Sequence, residues 1–157
     1  MSIPRHISEF LDSRHVKYQH FSHSPAYTAQ GIAHAQHVSG KQLAKVVMVM
    51  ADGQLIMAVV PGNHRVCLDR LREILNADSV KLASEEDFKN VFPDCELGAM
   101  PPLGNLYSLD VWADSALRAH PDVLFNAGNH SETILMSFSD FDRLVQPGIG
   151  NFSDVTH

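Results

Sequence analysis

Two apolar runs, Leu43 to Met50 and Leu55 to Val60, stand on either side of Ala51-Asp52-Gly53-Gln54, and no other feature limits the fold of this chain as strongly. Asp-Gly between β-branched runs is a strong hairpin signal, because the tight turn that matches strand twist needs positive φ at both central residues. In the first run Leu43, Lys45, Val47 and Val49 share one face while Ala44, Val46, Met48 and Met50 share the other. Both faces are apolar, the pattern of a strand covered on both sides. Lys45 is the exception. A charge in such a strand has to be solvated, paired or used, since an unpaired buried ammonium is expensive. Its placement asks for a pocket.

Around this hairpin the periodicities alternate. Ile7, Phe10, Leu11 and Val16 recur at near-helical spacing, so residues 5 to 15 read as a helix that leads into a short strand at Lys17 to Phe21. Thr28 is placed to cap a helix from Ala29 to His37, closed by Ser39-Gly40. Asp69 is placed to cap a helix carrying Leu71, Ile74 and Leu75, and a strand is expected at Val80 to Leu82. Ser84-Glu85-Glu86-Asp87 is close to a capping box, and Phe92-Pro93 would close the short helix it starts. Further strands are expected at Tyr107 to Trp112, Val123 to Asn126 and Thr133 to Phe138, followed by a helix capped by Ser139 and ending at Val145. These elements predict an α/β fold of the α+β type, a mixed and largely antiparallel sheet, curled or barrel-like, packed by helices. Residues 1–150 are expected to form a single domain, with 151–157 a disordered tail after Pro147-Gly148-Ile149-Gly150.

Composition narrows the function. A formal charge of -6 argues against affinity won by coating a phosphate backbone with lysine and arginine, so any nucleic-acid contact must be local. Cys67 and Cys95 have no C-x-x-C spacing, which leaves reduced thiols as the simpler reading. No run reaches transmembrane length, and an amphipathic stretch follows the N-terminus where a signal peptide would have an apolar core. A cytoplasmic protein without membrane partners is expected. Ten histidines raise a metal hypothesis, but His34 with His37 and His20 with His23 offer no third ligand at a familiar spacing.

Four features could line one site: Thr28, Lys45, the loop Gly98-Ala99-Met100-Pro101-Pro102-Leu103-Gly104, and the turn Asn126-Ala127-Gly128-Asn129-His130. Glycine and proline at fixed spacing give a stiff loop whose backbone N–H groups can face a ligand. In order along the chain, His23-x-Pro25-Ala26-x-Thr28, Lys45 in its apolar strand, Ala58-Val59-Val60-Pro61, Leu68-Asp69, Gly98-x-x-x-Pro102-Leu103-Gly104 and Gly128-x-His130 together resemble the YbaK and prolyl-tRNA-synthetase editing-domain family.

The resemblance implies hydrolysis of the ester that joins a wrong amino acid to the 3′ end of a tRNA, with no cofactor and no metal. It implies that Lys45, Gly98 and His130 are the catalytic residues and that Thr28, Met100, Pro101, Pro102 and Gly128 contact substrate. A histidine at position 130 is similar to the branch that removes alanine, which tilts the expected substrate toward alanyl-tRNA for proline. The implied partner is a mischarged tRNA acceptor end, with an aminoacyl-tRNA synthetase as a second candidate. Two other readings compete with this one: a deacylase for cysteinyl-, seryl- or 2-aminobutyryl-tRNA, and a non-catalytic module that binds aminoacyl-tRNA or a synthetase.

Overall fold

The hairpin forms as its sequence requires. In the computed structural model, which describes residues 4–22 and 43–156, strand β2 (Ala44–Ala51) pairs antiparallel with β3 (Gln54–Pro61) from Ala44↔Pro61 to Ala51↔Gln54. Asp52 and Gly53 turn the chain with φ of 50° and 82°. The Asp52 carboxylate accepts from the backbone N–H groups of Asp78 and Ser79, at 3.1 and 2.9 Å, and so ties the turn to the approach of strand β5 (Val80–Leu82).

Strand β6 (Asp110–Asp114) runs parallel to β3, and β9 (Gly148–Gly150) runs parallel to β6, giving a five-stranded sheet of order β5-β2-β3-β6-β9. A second sheet, antiparallel throughout, has the order β1 (Tyr18–Ser22), β8 (Glu132–Ser137), β7 (Asp122–Asn126). A third pairs β4 (His64–Val66) with β10 (Ser153–Val155). One parallel bridge, Leu43↔Leu124, joins the edge of β2 to β7.

Four helices, among the described residues, complete the fold: α1 (Arg5–Ser13), α2 (Leu68–Leu75), α3 (Glu85–Phe88) and α4 (Phe138–Val145). The expected two-sided burial of β2 is present. Ala44 and Met48 belong to a core with Met57, Val59, Ile7 and Leu11 of α1, Phe125, Ile134 and Phe141. On the opposite face Val47 and Val49 join Ile56, Ala58 and Val60 beneath Leu71 of α2 and Phe152.

Several expectations are corrected. None of the three sheets is closed, so the curled or barrel-like sheet is replaced by an open one. Its edges explain why: β5 pairs with β2 beside the turn, at Val49 to Ala51, while β9 lies along Trp112 to Asp114, level with the far end of β3. Edge strands of three residues at opposite ends of a sheet have no register in which to meet. The expected disordered tail is ordered through Thr156. Phe152 is fully buried, its N–H donates to Asp114 Oδ2 at 2.9 Å, and β10 pairs with β4. Burying a phenylalanine is worth about 1.5–3 kcal/mol, enough to hold a short strand down.

Cap positions shift as well. Cys67 precedes α2 where Asp69 was expected, and Ser137 caps α4 through a 3.1 Å bond from the Asp140 N–H where Ser139 was expected. Ser84 does make its capping box with Asp87. The helix and cap expected at Thr28 to His37 lie outside the described residues.

Candidate functional site

The turn between β7 and β8 is folded by its own polar groups. Ala127 N–H donates to the Glu132 carbonyl at 3.0 Å, and Asn129 Oδ1 accepts from the Ser131 N–H at 2.9 Å. Gly128 has a φ of +98°, and a Cβ there would fall 2.6 Å from Cγ of Pro4, so only glycine fits between this turn and the head of α1. Two backbone bonds then stitch the turn to the loop that sequence analysis singled out: Gly128 N–H to the Ala99 carbonyl at 2.9 Å and Glu96 N–H to the Gly128 carbonyl at 2.7 Å.

This stitching brings His130 to Gly98. Glu96 accepts twice from one residue, through Oε1 from the His130 backbone N–H at 3.3 Å and through Oε2 from the Nδ1 side at 3.2 Å. The other ring nitrogen, Nε2, lies 3.5 Å from where a Cβ on Gly98 would stand. Gly98 is exposed with a φ of +84°, whereas the His130 ring is buried.

Lys45 lies outside the cleft beside this loop. Val46, Val47 and Met48 line that open cleft of about 340 Å³ together with Leu82, Phe88, Leu97, Gly98 and Met100. Strand alternation puts Lys45 on the side of β2 that carries Leu43 and Val49. The Leu43↔Leu124 bridge then sets Lys45 beside Asn126, two residues further along each strand, at the start of the turn that carries His130. Burial pulls the Lys45 ammonium below its ordinary pKa, and among the described residues no acid forms an ion pair with it. The Asn126 Oδ1 is buried and has no hydrogen-bond partner among the described residues. Such a pair of polar groups, one short of solvent and one short of a donor, is suited to a polar ligand.

The structure thus brings Gly98, Gly128 and His130 together and leads Lys45 to the same turn by way of β7. Met100 lines the cleft together with Gly98 and Val47, and Pro101 and Pro102 are buried in the loop behind it. Thr28 lies outside the described residues. Of the thiols, Cys67 stands apart from this arrangement, whereas Cys95 Sγ lies 3.6 Å from where a Cβ on Gly128 would stand. Burial pushes Cys95 up to about 11, and it shares Tyr107 Oη with His6. Cys67 sits at the head of α2, where a hydrogen bond from Arg70 lowers its pKa.

A family model described as "Aminoacyl-tRNA editing domain" matches residues 23–144, a span that contains Lys45, the Gly98 loop, Gly128 and His130. The chain belongs to the aminoacyl-tRNA editing domain family. Membership makes it an ester hydrolase of the deacylating kind. Proline–tRNA ligases are among its curated relatives. That of Bacillus mycoides is 27% identical over 81 residues, 52% of this chain and 14% of the ligase, and that of a Geobacillus strain is 26% identical over 98 residues, 62% and 17% respectively. The editing domain therefore spans a small part of the length of the ligases it matches.

Solved structures share its fold. A hypothetical protein known from a crystal structure superposes with a TM-score of 0.85 at 18% identity, covering 94% of this chain and 99% of its own. A protein described as a candidate trans-editing enzyme for prolyl tRNA synthetase superposes with a TM-score of 0.81 at 19% identity, covering 96% of both chains. Among the described residues of the editing domain, no helix is long and apolar enough to cross a membrane.

Two residues of the site escaped sequence reasoning. Glu96 carries no local signal, because its partner is 34 positions away. Asn126 was visible only as part of a turn, and its relation to Lys45 depends on a single bridge between two sheets.

Proposed function

We propose that this editing domain acts in trans on mischarged tRNA, with alanyl-tRNA for proline as its substrate. The observation that carries the reading is the His130 ring, held against the exposed backbone of Gly98 on one side and by Glu96 on the other. The occurrence of proline–tRNA ligases among the relatives supports the choice of tRNA.

An aminoacyl ester is already activated, so a thousandfold acceleration needs only about 4 kcal/mol of barrier lowering. One well-placed donor to the developing oxyanion supplies roughly 2.7–4 kcal/mol. Positioned water and backbone N–H groups of the Gly98 to Pro102 loop would nearly suffice. In this reading Lys45 holds the terminal phosphate or the ester oxygens, and its partial desolvation strengthens its attraction to an anion. His130 meets the amino-acid end, Gly128 shapes the turn that presents it, and Thr28 lines the ribose side. Met100 and Pro101 form the wall that excludes proline by steric clash, where a merely snug pocket would distinguish a methylene by about 1–3 kcal/mol.

The test is deacylation of tRNA for proline charged with alanine, cysteine, serine or 2-aminobutyrate, by wild type and by Lys45→Ala. Alanine should be removed fastest, and Lys45→Ala should lose about a hundredfold or more of that rate. Wild-type rates in the variant would sink the role of Lys45. Faster removal of cysteine or serine would reassign the substrate, and binding of the RNA with no hydrolysis would make this a recognition module.

A further inference from the structure

We propose that Asn126 is a substrate-binding residue: its Oδ1 accepts a hydrogen bond from the free ribose hydroxyl that neighbours the ester at the tRNA 3′ end. The proposal rests on the reading above that Lys45 holds that end of the substrate.

Asn126 is the last residue of β7, and its backbone is committed to the sheet by its pairing with Thr133 of β8. Its side chain is not. The Oδ1 is buried and has no hydrogen-bond partner among the described residues, whereas Asn129 Oδ1, three residues on in the same turn, accepts from Ser131. A buried acceptor left unsatisfied works against the fold, so one that is kept points to a donor that arrives from outside.

The neighbour decides which donor. Leu43 and Leu124 meet in a small buried cluster of their own, with Phe21 and Leu135 packed against it. Alternation along each strand then puts Lys45 on the side of Leu43 and Asn126 on the side of Leu124. Neighbouring strands lie roughly 4.8 Å apart, so one ligand atom can reach both side chains. Lys45 offers donors only, and Asn126 Oδ1 only accepts. A phosphate or an ester carbonyl would satisfy the first and leave the second orphaned. An α-ammonium would satisfy the second against the repulsion of Lys45. A hydroxyl answers both, its oxygen accepting from Lys45 while its proton is donated to Asn126. The group next to the ester with that double character is the free hydroxyl of the ribose, by which a protein tells RNA from DNA.

Analogues that cannot be hydrolysed read binding apart from chemistry. Two are compared: tRNA for proline with alanine joined through a 3′ amide, the neighbouring 2′ hydroxyl being present in one and replaced by hydrogen in the other. Wild type should bind the hydroxyl form about tenfold more tightly, the contribution expected of one hydrogen bond to a buried acceptor. Asn126→Leu, similar in size and without a polar atom, should bind the two forms equally. Asn126→Ala, which cannot overfill the site, should do the same. Stability gives a separate readout, because an amide that serves a ligand lends the fold no bond. The urea midpoint of Asn126→Leu should equal or exceed that of wild type.

A variant that keeps the hydroxyl preference overturns the proposal, as does a wild type that shows none. A lowered urea midpoint in both variants overturns it too, since the fold itself then uses the amide. Lys45→Ala is the control on the underlying reading. If it binds both analogues as tightly as wild type, Lys45 does not hold the 3′ end and the proposal falls with that reading. If it weakens both while the Asn126 variants bind like wild type, only the role of Asn126 falls.

Discussion

Two glutamate–histidine pairs stand at the turn between β7 and β8, and they are built the opposite way round. In one the base is buried and the acid exposed: His130 at 9% against Glu96 at 44%. In the other, two residues along the chain, the acid is buried and the base exposed: Glu132 at 2% against His20 at 36%. Glu132 also accepts from the Ser22 hydroxyl at 2.8 Å, so that pair pins the end of β1 to the start of β8. The difference teaches that the buried member sets the work of the pair. A buried carboxylate with donors around it must stay charged and bonded, which makes it an anchor. A buried imidazole tied to a wet carboxylate gains a fixed orientation and keeps its chemistry.

The strongest way to break this comparison is through stability. Glu132→Ala removes the charged acceptor for Ser22 and His20, and a loss of about 2–3 kcal/mol is expected in urea unfolding. His130→Ala should do the reverse, lowering the deacylation rate about tenfold or more while changing the unfolding free energy by roughly 1 kcal/mol or less. Equal stability losses in the two variants would show that both pairs are anchors. Gly98→Ala sharpens the picture of the imidazole side. Its φ of +84° is strained for alanine, at roughly 1 kcal/mol, and its methyl would meet Nε2 at ordinary contact distance, so the rate should fall more than the stability.

The smallest effect expected is a change of slope with pH. Burial raises the Glu132 pKa, but hydrogen bonds from Ser22 and His20, with the charge of His20, outweigh it and hold the carboxyl below its ordinary 4.5. The unfolded chain then takes up this proton before the folded one. The stability contributed is therefore complete above pH 4.5 and is lost as the pH falls through the lower folded value. Urea unfolding of wild type and Glu132→Gln from pH 6 to 3 should show a shallower acid decline in the variant. Parallel declines would mean that Glu132 carries no linkage and that the anchor acts through shape alone.

Much of the fold was legible because its signals are short. The alternation in Val46 to Val49, the Asp52-Gly53 turn and the Ser84 capping box each involve groups within a few residues of one another. The same locality explains the errors at the ends of elements. Asp69 and Ser139 are good caps by residue type, yet Cys67 and Ser137 hold those positions because strands β4 and β8 deliver the chain there. Phe152 gave no periodic pattern, being a lone aromatic among polar residues, so the strand that follows it read as a tail. The candidate site was partly legible: the Gly98 loop and the turn of Gly128 and His130 lie together, whereas the cleft that Gly98 and Met100 line with Val46, Val47 and Met48 does not include Lys45.

By itself the sequence determined the central hairpin, the two-sided burial of β2 and the anomaly at Lys45. Periodicity and turn chemistry act over a few bonds and need no partner elsewhere. Only the tertiary structure decided that Glu96 holds His130 across 34 residues, that Asp114 and the second core hold Phe152 across 38, and that the sheet stays open. Those outcomes depend on which surfaces meet once the hairpin is covered, a choice made by packing energy over the whole molecule.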